Sequence, residues 1–210
     1  MTAAIAEADD HCKGDRLIFL ANCPRTSKRL VIWGDMLQTP NLTLSPCHPS
    51  DRADFIALER DPEVMRFLND GHPVDRTTIN PDETFLMPEG TEPWIWTARH
   101  NTTNSFVGWF CLWPESQTIA ELGYRLSQQH WGQGLATEGT AALVNWGFSQ
   151  DGYERIFAST LTTNQASRRV LEKIGMTYVR TVQINWPAPF PGSDEGEVEY
   201  AVLRGDRKNI

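Results

Sequence analysis

The chain has 210 residues, 40% hydrophobic and 22% charged, which are ordinary values for a globular protein and exclude wholesale disorder. Nineteen Lys and Arg against 27 Asp and Glu leave a formal net charge of −8. That balance argues against a nucleic-acid binder working through bulk charge, because phosphate neutralisation needs clustered cations. No run approaches the ~18 apolar residues of a membrane-spanning helix, and the acidic start from Met1 to Asp10 lacks the basic-then-apolar order of a signal peptide. The expected location is the cytoplasm, with neither nucleic acid nor membrane as a partner.

Residues 1–38 carry only two short apolar runs, Leu17-Ile18-Phe19-Leu20 and Leu30-Val31-Ile32-Trp33, and read as a loosely packed extension. Met36 stands directly before the organised part and offers an alternative translation start. Leu42-Thr43-Leu44 alternates as a short strand. Pro49-Ser50-Asp51 opens a helix whose Ala53, Phe55, Ile56 and Leu58 form its buried side. Asp61-Pro62-Glu63 opens a second, with Asp as N-cap and Pro at the first helical position, continued by Val64, Met65, Phe67 and Leu68. Residues 71–92, rich in Pro, Asp and Thr, read as loop. Three strands follow at 94–98, 106–112 and 119–126. In the last, Ala120, Leu122, Tyr124 and Leu126 share one face, and Ile119, Glu121, Gly123 and Arg125 share the other. A glycine-rich turn then leads into a helix over 135–149. After it come a strand (155–160), a helix (166–174) closed by Gly175, and strands at 178–184 and 198–203. The order β-α-α-β-β-β-α-β-α-β-β predicts one mixed α/β domain over 39–205, with 206–210 as a tail.

The cysteines, Cys12, Cys23, Cys47 and Cys111, form no CxxC pair and no disulfide framework, so free thiols are expected. His11-Cys12 and Cys47-His48 lack the paired spacing of a closed zinc site, and no metal is expected.

The segment richest in chemistry is Gln129-His130-Trp131-Gly132-Gln133-Gly134-Leu135-Ala136-Thr137-Glu138, between a strand and a long helix. Gly132 and Gly134 let the backbone approach a ligand, and the helix behind adds unpaired amides and the positive end of its dipole. Such a turn can cradle a pyrophosphate; it can also be a tight strand-to-helix turn with no ligand. A P-loop would need Lys after the second glycine, where Leu135 stands, and a dinucleotide fingerprint would need a third glycine, where Thr137 stands. A nucleotide-binding oxidoreductase is therefore a poor fit.

A second cluster runs Asn164-Gln165-Ala166-Ser167-Arg168-Arg169-Val170-Leu171-Glu172-Lys173-Ile174-Gly175. Ser167, Val170, Leu171 and Ile174 fall at i, i+3, i+4 and i+7, so the serine shares the apolar face. Its hydroxyl then needs a partner, either a backbone carbonyl or a ligand. Asn164 can cap this helix or contact a ligand.

Together the two clusters resemble the GNAT superfamily of acyl-CoA N-acyltransferases. Glu121-Leu122-Gly123-Tyr124, Trp131 to Glu138 and the 49–68 segment are similar to its RimJ/RimL-type, ribosomal-protein N-acetyltransferase branch. The resemblance covers residues 39–205. It implies a central mixed sheet with two splayed parallel strands and flanking helices, acetyl-CoA as co-substrate, and transfer of the acetyl group to a primary amine by direct attack in a ternary complex. Leu126 would pair through its backbone with the pantetheine arm and offer an oxyanion N–H. Amides from Trp131 through Gly132, Gln133, Gly134, Leu135 and Ala136 to Thr137, with Gln129 beside them, would hold the pyrophosphate. Asn164 would contact the pantetheine, and Arg169 would approach the nucleotide phosphates.

Many relatives protonate the departing thiolate with a Tyr seven residues after the Asn, where this chain has Leu171. The RimL-type branch uses a Ser three residues after it, here Ser167. Glu121 is the candidate base; its alternative is a solvated carboxylate or one paired with Arg125. Where that branch has a further downstream Glu, this chain has Trp186. Trp94, Trp96, Trp109 and Trp113 either line an acceptor cleft or pack the sheet. The acidic charge favours a cationic acceptor, a protein N-terminus or a small amine such as a polyamine or aminoglycoside. A catalytically weak acyl-CoA-binding sensor is the second reading. The expected assembly is a monomer or homodimer.

Overall fold

The computed structural model describes residues 36–68, 73, 94–186 and 189–206. Most of the N-terminal extension, the 71–92 loop save Pro73, and the end of the tail therefore lie outside the described residues. Eight strands form one mixed sheet: β1 (Leu37–Gln38), β2 (Leu42–Pro46), β3 (Ile95–His100), β4 (Phe106–Pro114), β5 (Ile119–Leu126), β6 (Arg155–Leu161), β7 (Thr177–Val182) and β8 (Glu197–Leu203). Their spatial order is β1-β2-β3-β4-β5-β6-β8-β7, antiparallel except for β5 beside β6. The expected mixed α/β architecture is the observed one. Leu37 and Gln38, read as part of the extension, pair with Leu44 and Thr43 and begin the sheet. A two-residue strand has no period to detect.

The helices divide between the two faces. On one lie α3 (Leu135–Trp146) and α4 (Gln165–Lys173), and their Leu135, Leu143, Leu171 and Ile174 close over Leu42, Phe110, Ala120, Leu122 and Ile156. On the other lie α1 (Arg52–Arg60) and the single turn α2 (Pro62–Met65), where Phe55, Leu58 and Val64 cover Cys47, Ile95, Trp109 and Cys111. The alternation of β5 follows this division. Leu122 and Leu126 enter the α3 layer, while Arg125 turns to α1, its guanidinium 2.7 Å from the buried carboxylate of Glu59. Of the four tryptophans, Trp96 packs edge-on against Trp146, and Trp94 against Trp113.

Local signals set the helix ends. Asp61 caps α2 by accepting from the Glu63 N–H at 2.9 Å. That helix ends at Met65, earlier than the run to Leu68 predicts. Gly175, at φ +80°, closes α4: its N–H donates to Glu172 O and that of Met176 to Leu171 O, a Schellman pair. Helix α3 runs on into a wider π-type turn, Gly147–Asp151, before β6.

Candidate active site

The site begins where two neighbouring strands part. β5 and β6 pair in parallel only from Ile119 opposite Arg155 to Glu121 opposite Phe157, although β5 continues to Leu126 and β6 to Leu161. Ser127 N–H donates to Val107 O on the β4 side. In an antiparallel ladder the bonded pairs alternate, so Tyr124 and Leu126 turn their backbone groups away from β4, toward the gap. A wedge of unpaired backbone thus opens between the ends of β5 and β6. The Leu126 carbonyl is already taken, accepting from the Trp131 indole N–H at 2.8 Å, whereas its N–H faces the wedge.

The glycine turn stands at the mouth of this wedge. Gly132 and Gly134 hold φ of +73° and +82°, and a Cβ on either would meet nothing within 4 Å. Gly134 is the N-cap of α3 and supplies no side-chain cap. The amides of Leu135, Ala136 and Thr137 therefore lack helical acceptors, as the first turn of any helix does. The turn from Trp131 to Gly134 is solvent-facing, and Gln133 is tied back to Gln129 O at 2.9 Å. An open left-handed turn with donors at a twelve-residue helix fits a diphosphate. Glu138, one turn further in, does not oppose it freely. Its carboxylate accepts from the Thr39 hydroxyl, the Asn41 N–H and the Asn41 side chain. Burial works to raise its pKa, but these bonds outweigh it and hold Glu138 below the usual carboxylate range.

Asn164 caps α4, its side-chain oxygen accepting from the Ser167 N–H at 3.2 Å. The cap uses the oxygen; no hydrogen bond engages the amide Nδ2 among the described residues. Among the described residues the Ser167 hydroxyl meets a side chain rather than a backbone carbonyl. It lies 2.9 Å from the Tyr124 hydroxyl, which comes from β5 across the wedge. Tyr124 is the residue the sequence reading did not single out; the alternation that placed it on the α3 face was the available signal. Burial pushes its phenol up to about 12, against the lowering effect of the Ser167 bond. Arg169 is exposed on α4.

Glu121 sits on the opposite, α1 face, half-buried between Trp113 of β4 and Phe157 of β6. Arg125, its suggested partner, donates to the Glu59 carboxylate at 2.7 Å. The Cys111 thiol is pushed up to about 12, first by burial and then by the nearby Glu121 charge. Trp186 packs edge-on against Phe190, its indole N–H buried without a hydrogen-bond partner among the described residues. Among the described residues no group of three or more His, Cys, Asp or Glu could hold a metal ion, and no helix is long and apolar enough to cross a membrane.

The profile of the acetyltransferase (GNAT) domain matches residues 41–177. The chain belongs to the GNAT acetyltransferase family. FsC-acetyl coenzyme A-N(2)-transacetylase of Aspergillus fumigatus is 34% identical over 178 residues, 80% of this chain and 76% of that protein. Among solved structures, a GNAT-family acetyltransferase from Bacillus anthracis aligns with TM-score 0.69 at 21% identity, over 81% of this chain and 99% of that one. Spermidine N-acetyltransferase from Vibrio cholerae, in complex with CoA and spermine, aligns with TM-score 0.63 at 14% identity, over 80% and 98%. This GNAT chain is accordingly an enzyme of the acetyl-CoA-dependent acyltransferase class, and its mixed sheet with flanking helices is the fold it shares with these structures.

Proposed function

We propose that this chain is an N-acetyltransferase that moves the acetyl group of acetyl-CoA to a primary amine by direct attack in a ternary complex. The observation that carries the proposal is the parting of β5 from β6 after Glu121 and Phe157. It leaves a slot lined by backbone donors, open to the α3 turn on one face of the sheet and to Glu121 on the other. In this reading the amides from Trp131 to Thr137 hold the diphosphate, with Gln129 bracing the turn and Arg169 reaching the nucleotide phosphates. The Asn164 amide and the Leu126 backbone hold the pantetheine arm. The Leu126 N–H also supports the oxyanion as the amine attacks, Ser167 donates to the sulfur as it gains charge, and Glu121 takes the amine proton directly or through one water. Donor and acceptor thus meet through the sheet from opposite faces.

Residues 39–205, joined by Leu37 and Gln38, form the catalytic domain, and its motifs favour the RimJ/RimL-type branch. The acceptor is a cationic amine, a protein N-terminus or a small molecule. The names of the N(2)-transacetylase and the spermidine N-acetyltransferase, both of acetyl transfer to nitrogen, support that class, as does the charge of −8. The sensor reading is not favoured, since the named relatives are transferases. Thiol release from acetyl-CoA over a panel of N-terminal peptides, polyamines and aminoglycosides tests the proposal. Turnover with one amine class is the expected result; tight acetyl-CoA binding with no thiol release across the panel would restore the sensor.

A further inference from the structure

Tyr124 and Ser167 meet hydroxyl to hydroxyl at 2.9 Å, one from the splayed half of β5 and the other from the first turn of α4. The Tyr124 oxygen also lies 3.4 Å from the Ser167 carbonyl, and its ring stacks on Phe110 at 6.1 Å between centroids, with 27° between planes. Two hydroxyls that share one hydrogen bond hold two protons, of which only one is spent between them. If Ser167 donated, the phenolic proton would turn to the Ser167 carbonyl at 3.4 Å, longer than an ordinary O–H···O bond. If Tyr124 donates, the serine proton is left to point into the wedge. Both arrangements make the 2.9 Å bond; the second leaves the remaining proton on the serine, where a ligand can use it.

We propose that Tyr124 is a positioning residue for acetyl transfer, donating to Ser167 Oγ so that the serine O–H is aimed at, and strengthened toward, the thioester sulfur. This rests on the proposed placement of the thioester in the β5–β6 wedge. The reaction balances without a proton leaving either hydroxyl. The amine nitrogen bonds to the acetyl carbon, the C–S bond breaks with its electron pair on sulfur, and the ammonium proton goes to base or solvent. Because the phenol titrates near 12, well above an ordinary thiol, Tyr124 stays protonated and works by hydrogen bonding. A donor that is itself accepting a hydrogen bond is polarised and donates more strongly.

The test is the thiol pKa of bound CoA, followed by thiolate ultraviolet absorbance against desulfo-CoA, in wild type, Tyr124→Phe, Ser167→Ala and the double variant. Tyr124→Phe keeps the ring on Phe110, and its thermal midpoint and circular dichroism check that it folds. In wild type the bound thiol should titrate below free CoA. Tyr124→Phe should raise it by about half a unit, a roughly threefold change in thiolate stabilisation. It should also lower kcat about three- to tenfold with KM for acetyl-CoA unchanged. The double variant should match Ser167→Ala alone, because Tyr124 acts only through the serine. A bound-thiol pKa unmoved by Tyr124→Phe, or effects that simply add, would overturn the proposal. Failure of the wild type to bind CoA at all would instead overturn the site reading on which it rests.

Discussion

Replacing Gly134 with Asp separates the backbone requirement of the α3 turn from its electrostatic one. At φ +82° a side chain costs about 1 kcal/mol in left-handed strain, less for Asn or Asp, whose short side chains visit this region. No atom lies within 4 Å of the added Cβ, so no clash is added. The fold should survive, with a midpoint about 2–4 °C lower for a chain of this size. The charge acts differently. A carboxylate about 5 Å from each phosphate group is repelled by roughly 1–3 kcal/mol per charge, as the effective dielectric runs from about 80 to 20. Two charges give about 2–6 kcal/mol, a loss of acetyl-CoA affinity from roughly thirtyfold to more than ten-thousandfold. Calorimetry with Gly134→Asn as the isosteric neutral control isolates this repulsion, which should shrink as salt is raised. If the Asp and Asn variants bind acetyl-CoA equally, the diphosphate does not sit at this helix end, and the assignment of the turn fails.

Glu121→Gln should remove the acidic limb of the pH–rate profile and leave a residual rate that climbs as the acceptor amine loses its own proton; a profile that keeps its shape and drops only in height would make Glu121 a positioning group. Glu59→Leu strands the Arg125 guanidinium, whose side chain is 13% exposed, and should destabilise by about 3–5 kcal/mol in urea. Adding Arg125→Met should recover most of that loss, and a double variant as unstable as the single would refute the pair's role. Glu138→Gln should weaken the fold at pH 7, because a carboxylate held below its unfolded pKa stabilises above the ordinary range near 4.3 and loses that contribution as pH falls through its folded value. Urea melts should therefore show the gap closing below about pH 4, and a gap that persists at pH 3 would mean that packing, not charge, is lost.

Much of this protein was legible one residue at a time. Pro62 after Asp61, Asn164 three residues before Ser167, and Gly175 after an apolar-periodic run each act within a single turn, where backbone donors and acceptors must be satisfied locally. The alternation of β5 is equally local, since a pleated strand sends successive side chains to opposite faces, and it separated Tyr124 from Glu121 before any fold was known. The order of motifs was enough for the family, and the glycine turn announced itself by composition. What the linear pattern could not supply was the pairing across distance. That Arg125 reaches Glu59 depends on α1 lying over β5. That Ser167 meets a hydroxyl rather than a carbonyl depends on Tyr124, 43 residues earlier, crossing the wedge. Leu171 is buried in the core at 1% exposure, and the phenol that reaches this helix comes from the sheet. The latch of Thr39 and Asn41 on Glu138 spans nearly 100 residues, drawing the first hairpin onto the start of α3. Side-chain hydrogen bonds reach only about 3 Å. Which groups come within that reach is decided by how strands and helices pack, and packing is a property of the whole chain.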